Sequence, residues 1–193
     1  MTSTQQTSVL TAVDPRVNLQ LLGNVLEVGV GTGINLQHYQ PQQLTSLTAV
    51  DLSGGMLAQA QRRAGQLQLA SPSLRLAFQQ ADVQALPFPP SSFDCGVDTF
   101  SLCVFSDPVA ALRSMAAVLR PGGRLLLLEH SRSSIPPLGW YQDLTAPAVA
   151  AMGKGCYWNQ DVVRLVQAAG LQVVHSEGHL GGLLVLLVAE KGA

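Results

Sequence analysis

The stretch Glu27-Val28-Gly29-Val30-Gly31-Thr32-Gly33 places one acid and three alternating glycines directly after an apolar run, and Asp51 closes the next such run. Glycine lacks a β-carbon, so a chain built from it can bend sharply and lie close against a ligand. Residues 24–28 read as a short buried strand, and 34–39 as the first turns of a helix whose free N–H groups would face a carboxylate or phosphate. A carboxylate one β-α-β unit further on is where a ribose diol is held, because its lone pairs can accept from both hydroxyls. Glu27, Gly29, Gly31, Gly33 and Asp51 together predict a site for a nucleoside-bearing cofactor.

The spacing narrows the choice of nucleoside. A dinucleotide fingerprint needs a third glycine where the pyrophosphate meets the helix. Counting from Gly29 puts Ile34 there, and counting from Gly31 puts Leu36 there. No Gly-Lys-Ser/Thr follows either, so a phosphate loop is excluded. A nicotinamide oxidoreductase is disfavoured on the same grounds. Glu27 would repel a pyrophosphate but suits a cationic ammonium or sulfonium.

A second group of residues could serve an acceptor. His130 follows an apolar run, and a neutral imidazole can take a proton from a thiol, a hydroxyl or an activated carbon acid near pH 7. A histidine at a strand end is equally often a structural hydrogen bonder, so both roles stay open. Trp140, Tyr141, Tyr157 and Trp158 gather in or beside the stretch 130–157, suggesting an apolar lid or acceptor wall, or else a loop fixed by aromatic packing. Cys103 reads as a buried small hydrophobe rather than a nucleophile.

These residues need a frame. Apolar runs at 25–28, 47–50, 74–78, 95–99, 124–128, 171–175 and 183–189 predict seven strands. Helices are predicted at 55–69, with Ser53 as its cap, and at 108–119, where Asp107 precedes Pro108 at the first helical position. A third is predicted at 159–169, closed by Gly170. Such alternation implies an α/β, doubly wound, Rossmann-like seven-stranded sheet, mostly parallel, whose last strand returns antiparallel through Gly181-Gly182. The stretch 130–157 has no assigned element, and a connection that long is usually functional. Asp94 precedes the fourth strand at its non-catalytic end and reads as structural.

At 193 residues the chain is expected to form a single domain over 23–193, preceded by a flexible tail at 1–22 with room for one short helix. Net charge is −1, with no basic run, which argues against a nucleic-acid substrate. Three cysteines without a C-x-x-C pair suit a reducing compartment, the cytoplasm first, without a disulfide framework. No apolar stretch reaches the ~20 residues of a membrane span.

The glycine stretch followed by Val50-Asp51-Leu52-Ser53 resembles the first two motifs of class I S-adenosylmethionine-dependent methyltransferases. Ala81-Asp82-Val83-Gln84-Ala85-Leu86-Pro87-Phe88, then Ser92-Phe93-Asp94-Cys95, then Leu119-Arg120-Pro121-Gly122-Gly123-Arg124 extend the likeness toward quinone-biosynthesis C-methyltransferases. Leu128-Glu129-His130 and Gly155-Cys156-Tyr157-Trp158-Asn159 are similar to the branch that includes small-thiol methyltransferases. Where relatives carry cysteine or another small residue in the glycine loop this chain has Val30, which is apolar and expected to be tolerated. The resemblance implies S-adenosyl-L-methionine as cofactor. Asp82 would accept from the adenine amino group, the alternative being a cap on the following turn. The Val83 N–H would read a ring nitrogen, Leu52 and Met56 would flank the ring, a core role for Met56 being equally open, and Thr99 would lie at the amino-acid end. It implies methyl transfer to a small, largely apolar acceptor (thiol, quinol or phenol, or ring carbon), with His130 as the catalytic candidate and no metal required. A cofactor-binding subunit with weak catalysis is the alternative. Many relatives cover the donor with helices before the first strand, so a partner or dimer contact near the short N-terminal region is expected.

Overall fold

The computed structural model describes residues 21–70, 72–153 and 155–192. The predicted tail and the N-terminal contact lie mostly outside them. Seven strands form one sheet: β1 (Gly23–Val28), β2 (Leu44–Asp51), β3 (Arg75–Gln80), β4 (Phe93–Thr99), β5 (Leu119–His130), β6 (Gln172–His179) and β7 (Leu184–Glu190). Their order is β3-β2-β1-β4-β5-β7-β6, with β7 antiparallel to both neighbours and the pairs from β3 to β5 all parallel. The expected antiparallel return is therefore present, and β7 inserts between β5 and β6.

Both sheet faces are covered, so the central strands are apolar on both sides. In β1, Leu26 and Val28 join the cluster of Leu112, Met115, Leu127 and Val166, while Val25 faces the other way among Leu47, Leu57, Ala60 and Val97. This is the two-residue period of a pleated strand. Helix α1 (Gly54–Ala70) covers the second face, and α2 (Pro108–Val118) with α4 (Val162–Ala168) covers the first.

The local signals behave as their chemistry dictates. The Ser53 hydroxyl accepts from the Met56 N–H at 3.3 Å, and Asp107 accepts from the Ala110 N–H at 2.9 Å ahead of Pro108. Asp94 accepts from the Asn24 N–H at 2.6 Å and pairs with Arg120 at 2.6 Å, a structural role at the far end of the sheet.

Two predicted elements need correction. The helix expected from Ile34 is only a five-residue 3-10 helix, Ile34–His38, and Pro41 starts another short turn soon after. The restricted backbone before Pro41 stops it from extending. The unassigned stretch 130–157 contains a helix of 17 residues, α3 (Pro136–Met152), which the prolines and glycine in its sequence disguise. Pro136 and Pro137 sit in the first turn, where their missing N–H groups cost nothing. The exposed Pro147 lies inside the helix.

Candidate active site

The glycine loop leaves β1 with Gly29, Gly31 and Gly33 at φ 60°, 54° and 77°, a left-handed conformation that favours glycine. The outer two also serve packing. A β-carbon on Gly29 would stand 2.4 Å from the Ser101 side chain, and one on Gly33 would stand 2.9 Å from the Ala60 backbone. On Gly31 it would meet only the Gly29 carbonyl, at 3.9 Å. The middle glycine thus borders open space, a cradle that a side chain would fill. Val30 is buried among apolar neighbours, so its size is accommodated.

Asp51 pins this loop from the end of β2. Its Oδ2 accepts from the Gly31 N–H and its Oδ1 from the Ser53 N–H, both at 2.8 Å. Each oxygen has another lone pair for a hydroxyl. Leu52, beside it, is 69% exposed, and Met56 is half-buried one turn into α1. Asp82, exposed after β3, caps the Val83–Ala85 turn by accepting from the Gln84 N–H at 2.9 Å. Gln84 in turn accepts from Ser106 and the Asp107 N–H, tying that turn to the start of α2.

Beneath the loop lies a layer of buried acids. Asn35 donates to Glu27 Oε1 at 2.9 Å and to Thr99 Oγ1 at 2.7 Å, linking two predicted site residues through one that sequence reading missed. Burial pushes the Glu27 carboxyl up to about 7, against the pull of the Asn35 amide and of the buried Tyr39 hydroxyl beside it, and Glu27 Oε2 makes no hydrogen bond of normal geometry among the described residues. Asp98, likewise raised by burial to about 7, accepts from the Ser101 hydroxyl. Glu129 accepts from the Ser101 and Leu102 N–H groups at 3.1 and 3.3 Å, and burial with the nearby Asp98 charge drives it well above the carboxylate range.

His130, the predicted acceptor-side residue, lies at the carboxyl end of β5. Its Nδ1 lies 3.9 Å from Cys103 Sγ and 3.8 Å from Cys156 Sγ, and the two sulfurs are 2.9 Å apart. Phe100 tilts against the imidazole at 5.1 Å between ring centroids. Burial lowers the His130 pKa, so the ring is neutral at pH 7. Cys103, buried as expected, is nevertheless part of this cluster. Cys156 is brought there by the Tyr157 N–H donating to the Cys103 carbonyl at 2.9 Å. The fully buried Gln142 of α3 fastens the surroundings. It accepts from the Ser133 N–H at 2.7 Å and donates to the Ser131 and Trp158 carbonyls at 2.8 and 2.9 Å. Tyr141 packs edge-on against Trp158, while Trp140 stays 77% exposed. The four aromatics therefore lie on and after a helix rather than in an open loop.

An open cradle at Gly31, a ribose-type carboxylate at Asp51 and a buried Glu27 oxygen without a hydrogen bond of normal geometry suit a nucleoside bearing a cation and no pyrophosphate. Residues 26–127 match the methyltransferase-domain family. The chain belongs to that family, as a class I S-adenosylmethionine-dependent methyltransferase, an α/β enzyme whose methyl donor is S-adenosylmethionine. More particularly, it is 33% identical over 143 residues to a phosphatidylethanolamine N-methyltransferase of Cereibacter sphaeroides, covering 67% of this chain and 68% of that relative. A ubiquinone/menaquinone biosynthesis C-methyltransferase of Pasteurella multocida is 52% identical over 59 residues, but these are 31% of this chain and only 22% of the relative. In fold it is similar to a Bacillus halodurans putative methyltransferase, with a TM-score of 0.77 and 14% identity over 96% of this chain and all of that one. Among the described residues no helix is long and apolar enough to cross a membrane.

Proposed function

We propose that the chain methylates a small, largely apolar acceptor, and that a thiol is the favoured one. The observation carrying this reading is the convergence of His130, Cys103 and Cys156 on the rim that also holds the glycine loop. Cys103 lies two residues beyond Ser101, which packs against Gly29, so the cluster is adjacent to the donor cradle. A half-buried, uncharged lining of two thiols and an imidazole disfavours a charged acceptor, and the imidazole can accept the proton of a thiol.

On the donor side, Asp51 holds the ribose hydroxyls and Glu27 compensates the donor's positive charge. Leu52 and Met56 cover the adenine, with Asp82 and the Val83 N–H at its polar edge and Thr99 near the amino-acid end. Bound S-adenosylmethionine supplies a methyl group that its sulfonium already makes electrophilic. The protein's task is to align the nucleophile, exclude water and help remove one proton. A thiol asks little of the last, because a few per cent is already ionised at neutral pH. The three free cysteines are consistent with work in a reducing compartment such as the cytoplasm.

The test is a panel of small thiols, quinols and amines, with formation of S-adenosylhomocysteine as readout. Turnover with thiols supports the assignment. Turnover confined to amines, the acceptor class in the name of the C. sphaeroides relative, would replace it. No turnover, with intact donor binding, would point to a cofactor-binding subunit instead.

A further inference from the structure

The chain has three cysteines and four histidines, and two of the former meet one of the latter at a single point. Cys103, His130 and Cys156 come from three separate segments: the turn after β4, the end of β5 and the segment after α3. Their candidate ligand atoms all lie within 4.8 Å of one another. We infer that these three side chains form a binding site for a thiophilic divalent cation of the zinc class, with a fourth position open to an acceptor thiol.

The geometry admits a cation: the sulfurs lie about as far above a disulfide bond of ~2.05 Å as below the edge of a zinc site, and the imidazole adds a third ligand that a disulfide does not need. The imidazole nitrogen is nearly equidistant from both sulfurs, at 3.9 and 3.8 Å, which a disulfide would not require. Zinc bonds of about 2.3 Å to sulfur and 2.0–2.1 Å to nitrogen imply tetrahedral edges of about 3.8 Å between sulfurs and 3.5 Å from sulfur to nitrogen. The observed sulfur–nitrogen separations are close to this, and the 2.9 Å between sulfurs needs to widen by roughly 0.9 Å. Cys156 is partly exposed, and a side-chain rotation there is the motion that would widen the gap. The framework holding it is already in place, in the Tyr157-to-Cys103 backbone bond and the Gln142 hydrogen bonds. Two sulfurs and one imidazole select borderline-soft metals, and three protein ligands leave the open position typical of a reactive rather than a structural zinc site. A thiol entering that position would bind as thiolate and release its proton to solvent, so His130 would act as a ligand instead of a free base.

The site stands independently of the methyl-transfer reading except for the identity of the fourth ligand. It is tested on the full chain, reduced and stripped of metal, by titration with cobalt(II). The expected result is a thiolate-to-cobalt charge-transfer band saturating at about one equivalent, bleached by zinc, with visible bands that shift when a small thiol is added. Cys156→Ser and Cys103→Ser should each weaken the band and lower cobalt affinity by more than the roughly 10–100-fold that loss of a mere supporting contact costs. Cys156→Ser guards against misfolding of the buried Cys103 variant, and calorimetric titration with S-adenosylmethionine checks both. A reduced wild-type chain that gives no charge-transfer band overturns the site. So does a band that survives in both variants, and so does a visible spectrum indifferent to added thiol for the open position. Cobalt binding without donor binding would sink the methyl-transfer reading alone; donor binding without cobalt binding would sink only the metal site.

Discussion

Glu27 turns the glycine loop into a pH-dependent element. Burial raises its carboxyl from 4.5 to about 7 in the folded chain. The folded state therefore holds this proton more tightly than the unfolded one, and stability falls as pH climbs from about 4.5 to about 7, by roughly 3 kcal/mol in all. Binding of a cationic donor has the opposite sign, because it favours the ionised acid. Donor affinity is expected to rise by up to about tenfold per pH unit below 7 and to level off above it. Calorimetry in buffers of different ionisation heat should show proton release on binding at pH 6, and Glu27→Gln should remove both the release and the slope. The glycines give a second contrast. Gly31→Ala faces open space and should cost only about 1–2 kcal/mol of backbone strain while sharply lowering donor affinity. Gly33→Ala meets the α1 backbone at 2.9 Å and should lower the melting temperature more than Gly31→Ala does. An equal loss of stability in both variants would contradict the division of labour between them.

At the scale of elements, α3 depends on a few polar anchors. Gln142 is fully buried with three hydrogen bonds, and Arg132 grips Asp143 through three, at 3.0, 3.2 and 2.8 Å. Replacing Gln142 by Leu strands one buried and two part-buried backbone groups and should cost about 2–3 kcal/mol. Hydrogen exchange should then speed up selectively in 136–152 and around Cys156, with β1 and β2 unaffected. The same helix marks the limit of what the sequence disclosed. Glycine loop, strand ends and Asp107-Pro108 cap were readable because each carries a local signal of period, turn or cap. Pro136, Pro137, Gly139 and Pro147 carry the opposite local signal, and the helix is held in part by Gln142 and Asp143, whose partners lie outside it. The cysteine cluster was hidden for a related reason. Cys103 and Cys156 are 53 positions apart, so spacing rules for adjacent ligands could not pair them. Asn35 was likewise invisible, since its function is to join Glu27 to Thr99 across two strands.

Across the whole molecule, the acids Glu27, Asp98 and Glu129 lie below one rim, each pushed upward by burial. Their effects share a sign, so the donor-free protein should melt at a higher temperature at pH 5.5 than at pH 7.5, and saturating donor should narrow that gap. Asp98→Asn should flatten the remaining slope as measured by calorimetric melting. The position of β7 has a different kind of consequence, one of timing. As a ribosome extends the chain, β1 to β5 can pair as they emerge, but the leucine-rich outer edge of β5 has no neighbour until Leu184–Glu190 is released. His130, opposite Leu184, is among the last residues to be enclosed. Nascent chains arrested before residue 184 should therefore expose a sticky edge to chaperones, and the rim proposed to handle the methyl acceptor should take shape only once β7 has been released.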